Sequence, residues 1–116
     1  MIMDFETLQE YEKDLKRLLK KYRTLCDDMD DVKMVLKASP DSRPPFSFRV
    51  EGLGIKSCVT KVKKIASNSF KGKGTQSGFR LIYAYFKEEQ RIVFVELYHK
   101  NDKENEDRDR ILRNFR

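Results

Sequence analysis

The stretch VELYHKND, Val95 to Asp102, sets the chain's one histidine, His99, beside Tyr98 where a strand-forming run gives way to charge. An imidazole titrates near neutral pH, so at such a place it is either a proton-transfer group or a polar strand end. Upstream, Arg80 lies in SGFRLIY, and its planar guanidinium suits a phosphate better than an ammonium would. From Gly52 to Lys87 the chain carries Lys56, Lys61, Lys63, Lys64, Lys71, Lys73, Arg80 and Lys87, with no Asp or Glu. Solvated surfaces intersperse the two signs. A one-sign stretch of this length points to a polyanion, with nucleic acid the first candidate and an acidic peptide the second. Lys71 and Lys73 fall in the glycine-rich FKGKGTQSG, either a phosphate-holding loop or an ordinary soluble turn.

Composition bounds what can position these groups. The chain has 116 residues and suits one domain, residues 1–116, with one modest core. Charged residues make up 38% and apolar ones 39%, but the apolar positions are periodic, which separates the chain from a disordered one. The net charge of +6 is uneven: residues 1–39 hold eight basic and nine acidic residues and residues 99–116 hold six and five, so the excess lies in the middle. No apolar run approaches a membrane span, and the start MIMDFETLQEYEK lacks a basic region followed by an apolar one, so a cytoplasmic location is expected. Cys26 and Cys58 are too few and too far apart for a disulfide framework or a zinc site, so no metal is expected.

Two helices open the chain on this reading. Phe5, Leu8, Leu15, Leu18, Leu19, Tyr22 and Leu25 recur at helical spacing, and Leu25, Met29, Val32 and Leu36 continue as a second helix that stops before Pro40. After DSRPPF the pattern turns to strands: one or two around Cys58 to Ser67, then GFRLIYAYF and RIVFVELYH joined by KEEQ as a hairpin. If Lys87 opposes Gln90, Arg80 pairs with Leu97 and Ile82 with Val95. Arg80 and His99 then share one face of the sheet, and Tyr98 and Glu96 the other. A short helix is expected near Ile111, Leu112 and Phe115.

This order of elements resembles the RelE/ParE superfamily of bacterial toxins. The likeness covers nearly the whole chain and is carried above all by SGFRLIY joined through a short turn to IVFVELYHKNDKE. It implies an α+β fold, with an N-terminal helical hairpin packed on a small antiparallel sheet and a short C-terminal helix. For the RelE-like branch it implies metal-independent cleavage of ribosome-bound mRNA, with no cofactor, and silencing by a cognate antitoxin. For the ParE-like branch it implies inhibition of DNA gyrase without RNA chemistry, and an inactive member of the RelE fold is the third reading. Arg80 matches the phosphate-binding arginine of the RelE-like nucleases, and Tyr98 with His99 occupies the place where some members carry a His-Tyr pair, here in reversed order. Lys61, Lys63, Lys64, Lys71 and Lys73 are expected to hold RNA phosphates. Lys100 and Lys103 join them beyond the last strand, although Asn101 stands where the family has an arginine. The terminal helix lacks the tyrosine that stacks on the substrate base in some members, which leaves Tyr98, Phe70 or the ribosome's own RNA for that role.

Overall fold

Five strands form a mixed sheet in the order β1-β5-β4-β3-β2 in a computed structural model that describes residues 2–70 and 72–116. The strands are β1 (Asp4–Thr7), β2 (Ser47–Arg49), β3 (Cys58–Val62), β4 (Phe79–Phe86) and β5 (Arg91–His99). The helices are α1 (Gln9–Leu19), α2 (Leu25–Ala38) and α3 (Arg108–Phe115). Both cysteines are free thiols.

The expected helical pair and C-terminal helix are present, but the sheet is not purely antiparallel. A strand precedes α1 and pairs parallel with β5, Phe5 opposite Ile92 and Thr7 opposite Phe94. Phe5 therefore belongs to a strand, and its ring meets Phe94 edge-on at 6.0 Å. Helix α1 starts only at Gln9, with Glu10 and Glu12 in its first turn and Lys16 and Arg17 in its last, charges that complement the helix dipole. Helix α2 likewise begins with Asp27 and Asp28 and ends with Lys37. The Asp107 carboxylate caps α3 by accepting the Arg110 N–H at 3.0 Å.

Both faces of the sheet are covered. Tyr11 and Leu18 of α1 and Leu25, Met29, Val32 and Leu36 of α2 pack on Phe79, Leu81, Tyr83, Phe94 and Leu97. On the other face Ile111 of α3 packs on Val59, Ile82, Ala84, Val95 and Tyr98. Apolar residues on both sides of β4 and β5 are what such a two-sided burial requires.

The β4–β5 hairpin decides which side chains meet. From the Lys87–Gln90 turn up to Tyr83 opposite Phe94, the pairing follows the sequence expectation. Between Ile82 and Tyr83 it slips by one residue: Ile82 pairs with Glu96, Leu81 with Leu97, Arg80 with Tyr98 and Phe79 with His99. Val95 is the extra residue of a β-bulge, and past it every side chain of β5 changes face relative to an unbulged strand. The expected pairs Arg80–Leu97 and Ile82–Val95 are thus replaced, and Arg80 and His99 do not share a face.

Two buried charges hold this bulge. Strand β1 stops opposite Phe94, and just beyond it the Val95 carbonyl accepts from the Arg110 guanidinium at 2.8 Å while the Leu97 N–H donates to Asp14 at 3.2 Å. Arg110 and Asp14 also bind each other, at 2.7 Å. Burial alone would pull the Arg110 pKa down, but Asp14, Glu96 and Glu10 together hold it above its ordinary value. The two helices thereby satisfy backbone groups that a buried bulge cannot leave unpaired.

Candidate nucleic-acid interface

Beyond the bulge, one face of the sheet carries a row of functional residue types. Phe48 of β2 pairs with Lys61 of β3, Lys61 with Ile82, and Ile82 with Glu96. One step along, Lys63 adjoins Arg80, whose guanidinium donates to the Lys63 carbonyl at 3.3 Å, and Arg80 faces Tyr98. At the mouth of this row lies an open cleft of about 420 Å³, lined in part by Lys63, Lys64, Arg80 and Lys100 and by no carboxylate among the described residues. Arg80 is half-buried and, among the described residues, is held by two long bonds to the carbonyls of Lys63 and Phe79. Its fork is therefore available to a ligand. Four cations around one concavity with no internal counter-ion form a site for a phosphate or a comparable anion.

Gly78 forms part of the cleft wall and is a glycine for two reasons. Its φ is +94°, and a Cβ there would lie 2.7 Å from His99 Nε2 and 2.9 Å from Cε1. Its carbonyl accepts the Lys100 N–H at 2.9 Å, which continues the hairpin by one rung and carries Lys100 to the cleft edge.

His99 itself lies on the helical side of the sheet, 3% exposed. Its Nδ1 accepts the Asn101 N–H at 3.2 Å, so Nε2 carries the hydrogen and donates to the Ser77 carbonyl at 2.8 Å. The rings of Phe70 and Tyr22 stack on the imidazole at 5.3 and 5.9 Å, and Phe79 meets it edge-on at 5.1 Å. Both nitrogens are occupied and the ring is packed among these three aromatic side chains. The expected pairing of His99 with Arg80 in one cleft is corrected by the Val95 bulge, which turns Tyr98 toward Arg80 in its place.

Tyr98 is buried, and its hydroxyl has no hydrogen-bond partner of good geometry among the described residues. Burial raises its pKa, and the neighbouring Lys61 ammonium offsets only part of that rise. The Lys103 ammonium sits over its ring at 5.1 Å.

Two of the expected RNA-binding lysines are engaged inside the protein. Lys61 pairs with Glu106 at 2.9 Å, their side chains 14% and 7% exposed. Burial pulls the Lys61 pKa down, yet Glu106 and Tyr98 more than compensate and leave it above its ordinary value. For Glu106, burial acts upward and Lys61 and Arg108 act downward, with a net fall. Lys103 binds the buried Glu96 carboxylate, which also accepts the Asp107 N–H at 2.7 Å. Lys61 and Lys103 therefore spend their charge on their own chain. Lys63, Lys73 and Lys100 are exposed and Lys64 half-exposed, whereas Lys71 lies outside the described residues.

A buried acid fastens the loop that follows β3. Asp28 of α2 accepts from the hydroxyls of Thr24 at 2.9 Å and Ser67 at 2.5 Å and from the Asn68 N–H at 3.2 Å. This clasp holds the start of the glycine-rich segment against α2 and places Phe70 over His99. Sequence reasoning missed it, although the signal was there: Asp28 falls between Leu25 and Val32 on the apolar stripe of its helix, as Asp14 does between Tyr11 and Leu18. An acid on an apolar stripe calls for a buried partner.

No protein-family model and no curated protein matches the sequence. Among solved structures, a chain of the archaeal RelE–RelB complex from Pyrococcus horikoshii superposes with a TM-score of 0.59 at 14% identity, over 89% of this chain and 100% of that one. The solution structure of the conserved hypothetical protein HP0892 from Helicobacter pylori superposes with a TM-score of 0.52 at 18% identity, over 87% of this chain and 98% of the other. Five strands, three helices and near-complete coverage of both neighbours show that this chain shares the α+β fold of these two structures.

Proposed function

We propose that the protein is the toxin of a toxin–antitoxin pair and acts as a metal-independent endoribonuclease on ribosome-bound mRNA. The single observation that carries this reading is the carboxylate-free cleft of Lys63, Lys64, Arg80 and Lys100, set in a RelE-like fold. In metal-free RNA cleavage the ribose 2′-oxygen attacks the adjacent phosphorus and the bond to the 5′-oxygen breaks. The 2′-hydroxyl gives up a proton and the 5′-oxygen gains one. Negative charge grows on the phosphorane between these events, and Arg80 is the group suited to receive it, with the lysines holding the flanking backbone. Tyr98, kept protonated by burial, has its hydroxyl shut off from solvent and does not line the cleft, so it backs the site beneath Arg80 and does not meet the substrate. His99 has no part in this scheme, since its nitrogens are bonded within the protein.

A second reading stays in play for the same reason. An anion-binding cleft without an imidazole also suits a ParE-like gyrase inhibitor that performs no RNA chemistry. In either case a cognate antitoxin is the expected partner, in keeping with the RelE–RelB complex among the structural neighbours, and it would lay acidic or apolar residues over the cleft. Inducing the protein in bacterial cells and mapping new mRNA 5′ ends separates the two readings. New ends that vanish with Arg80→Ala support the nuclease, whereas growth arrest with intact mRNA and damaged gyrase function supports the alternative.

A further inference from the structure

A second groove, of about 250 Å³, adjoins the cation cleft, and the two share Phe48 and Lys63. Its character differs. Glu51 and Glu106 line it along with Arg49, Lys61 and Arg108, and of its acids Glu106 is tied to Lys61 and Arg108 whereas the Glu51 side chain has no ion pair among the described residues. The free Glu51 carboxylate gives this groove a charged acceptor for the N–H groups of a base, which the carboxylate-free cleft lacks among the described residues. Phe48 stands on the partition. It is 38% exposed, on the edge strand β2, with the Lys63 ammonium over its ring at 5.0 Å. Other rings around the cleft are unavailable: Tyr98 is buried, and Phe70 packs on His99, Tyr22 and Phe79.

Resting on the RNA-binding reading above, we propose that Phe48 is a base-stacking platform, with the phosphate of a bound nucleotide in the Lys63–Lys64–Arg80–Lys100 cleft and its base turned into the Glu51 groove. An exposed phenyl ring on a surface this charged loses nothing by solvation when a base covers it, and stacking tolerates any base because each has a π-face.

The test is fluorescence anisotropy of a labelled single-stranded RNA octamer at low salt, alongside the same octamer with its bases removed, on wild type, Phe48→Ala and Phe48→Tyr. Phe48→Ala should weaken binding of the intact octamer roughly 5- to 150-fold, the equivalent of about 1–3 kcal/mol for one stacked base. The salt dependence should stay as in wild type, because the phosphate contacts are untouched. Phe48→Tyr should bind like wild type, and the base-free octamer should bind wild type and Phe48→Ala alike. Equal affinity of wild type and a folded Phe48→Ala variant for the intact octamer overturns the platform while leaving the RNA reading standing. A wild-type protein that ignores both octamers, or prefers poly-glutamate to them, overturns both.

Discussion

Arg80 faces Tyr98 across the β4–β5 ladder, and the β-bulge at Val95 is the reason it does not share a face with His99. One inserted residue separates a phenol placed with the cations from an imidazole sealed among aromatic rings. The two neighbours in sequence therefore respond to mutation in opposite ways.

Tyr98→Phe removes a buried hydroxyl that has no hydrogen-bond partner of good geometry among the described residues, so thermal stability should hold or rise slightly, by up to about 1 kcal/mol. RNA cleavage should persist in that stable variant, and its loss would show that the hydroxyl reaches the substrate after all. His99→Ala strips the Ser77 carbonyl and Asn101 N–H of their partner and opens a hole beneath Phe70. A cost of about 2–4 kcal/mol is expected in urea denaturation. Unchanged stability with abolished cleavage would contradict the structural role assigned to His99.

Gly78→Ala should be far more damaging than Gly54→Ala, at an exposed glycine that also has a positive φ. The substitution forces an L residue to φ +94° and drives a methyl to 2.7 Å from His99, whereas a Cβ at Gly54 meets nothing within 4 Å. A loss of at least about 2 kcal/mol is expected for Gly78→Ala, and about 1 kcal/mol for Gly54→Ala from backbone strain alone. Comparable melting temperatures for the two variants would contradict the close packing of Gly78 on the imidazole.

The Lys61–Glu106 pair should shape stability against pH at both ends. Glu106 lies below its ordinary value of 4.5, so its contribution is complete above that pH and is lost as pH falls through the lower folded value. Lys61 lies above its ordinary value of 10.5, so its contribution is complete below that pH and is lost only as pH rises beyond it. Glu106→Gln leaves a largely buried ammonium with a weaker acceptor, and a deficit of about 3 kcal/mol at pH 7 is expected. That deficit should shrink toward pH 3, as wild type loses the same interaction. A deficit independent of pH would show that the pair contributes packing and no charge.

Asp28→Ala should release the segment that begins at Ser67. Two hydroxyls and one amide lose their acceptor, so amide exchange at Asn68 and Ser69 should speed up well before global unfolding. Tyr22 and Phe70 would then cover His99 less tightly, and near-ultraviolet circular dichroism should register the change. Exchange as slow as in wild type would show that the aromatic stack holds the loop unaided.

Much of this fold was legible because it rests on periodicity. The two helices, the KEEQ hairpin and the strand content of GFRLIYAYF and RIVFVELYH follow from spacing alone, and the carboxylate-free middle of the chain marked the cleft. Strand β1 was not, because Phe5 also fits the helical stripe that starts at Leu8, and a four-residue edge strand leaves too little alternation to outweigh it. The bulge was less legible still. Its cause is the demand of Asp14 and Arg110, 96 residues apart, on the backbone of β5, and no local pattern around Val95 encodes it. The same long-range pairing took Lys61 and Lys103 out of the set of free cations, since Glu106 and Glu96 look like ordinary surface acids in the sequence.

The clasp between Asp14 and Arg110 also imposes an order in time. Arg110 emerges from the ribosome after every strand it helps to fix, so a nascent chain can collapse its helices onto the sheet while the segment from Val95 to His99 still lacks its last backbone partners. Arg80 and Tyr98 come into register only when α3 docks. The anion cleft thus reaches its final form through α3, the element of this fold that is made last.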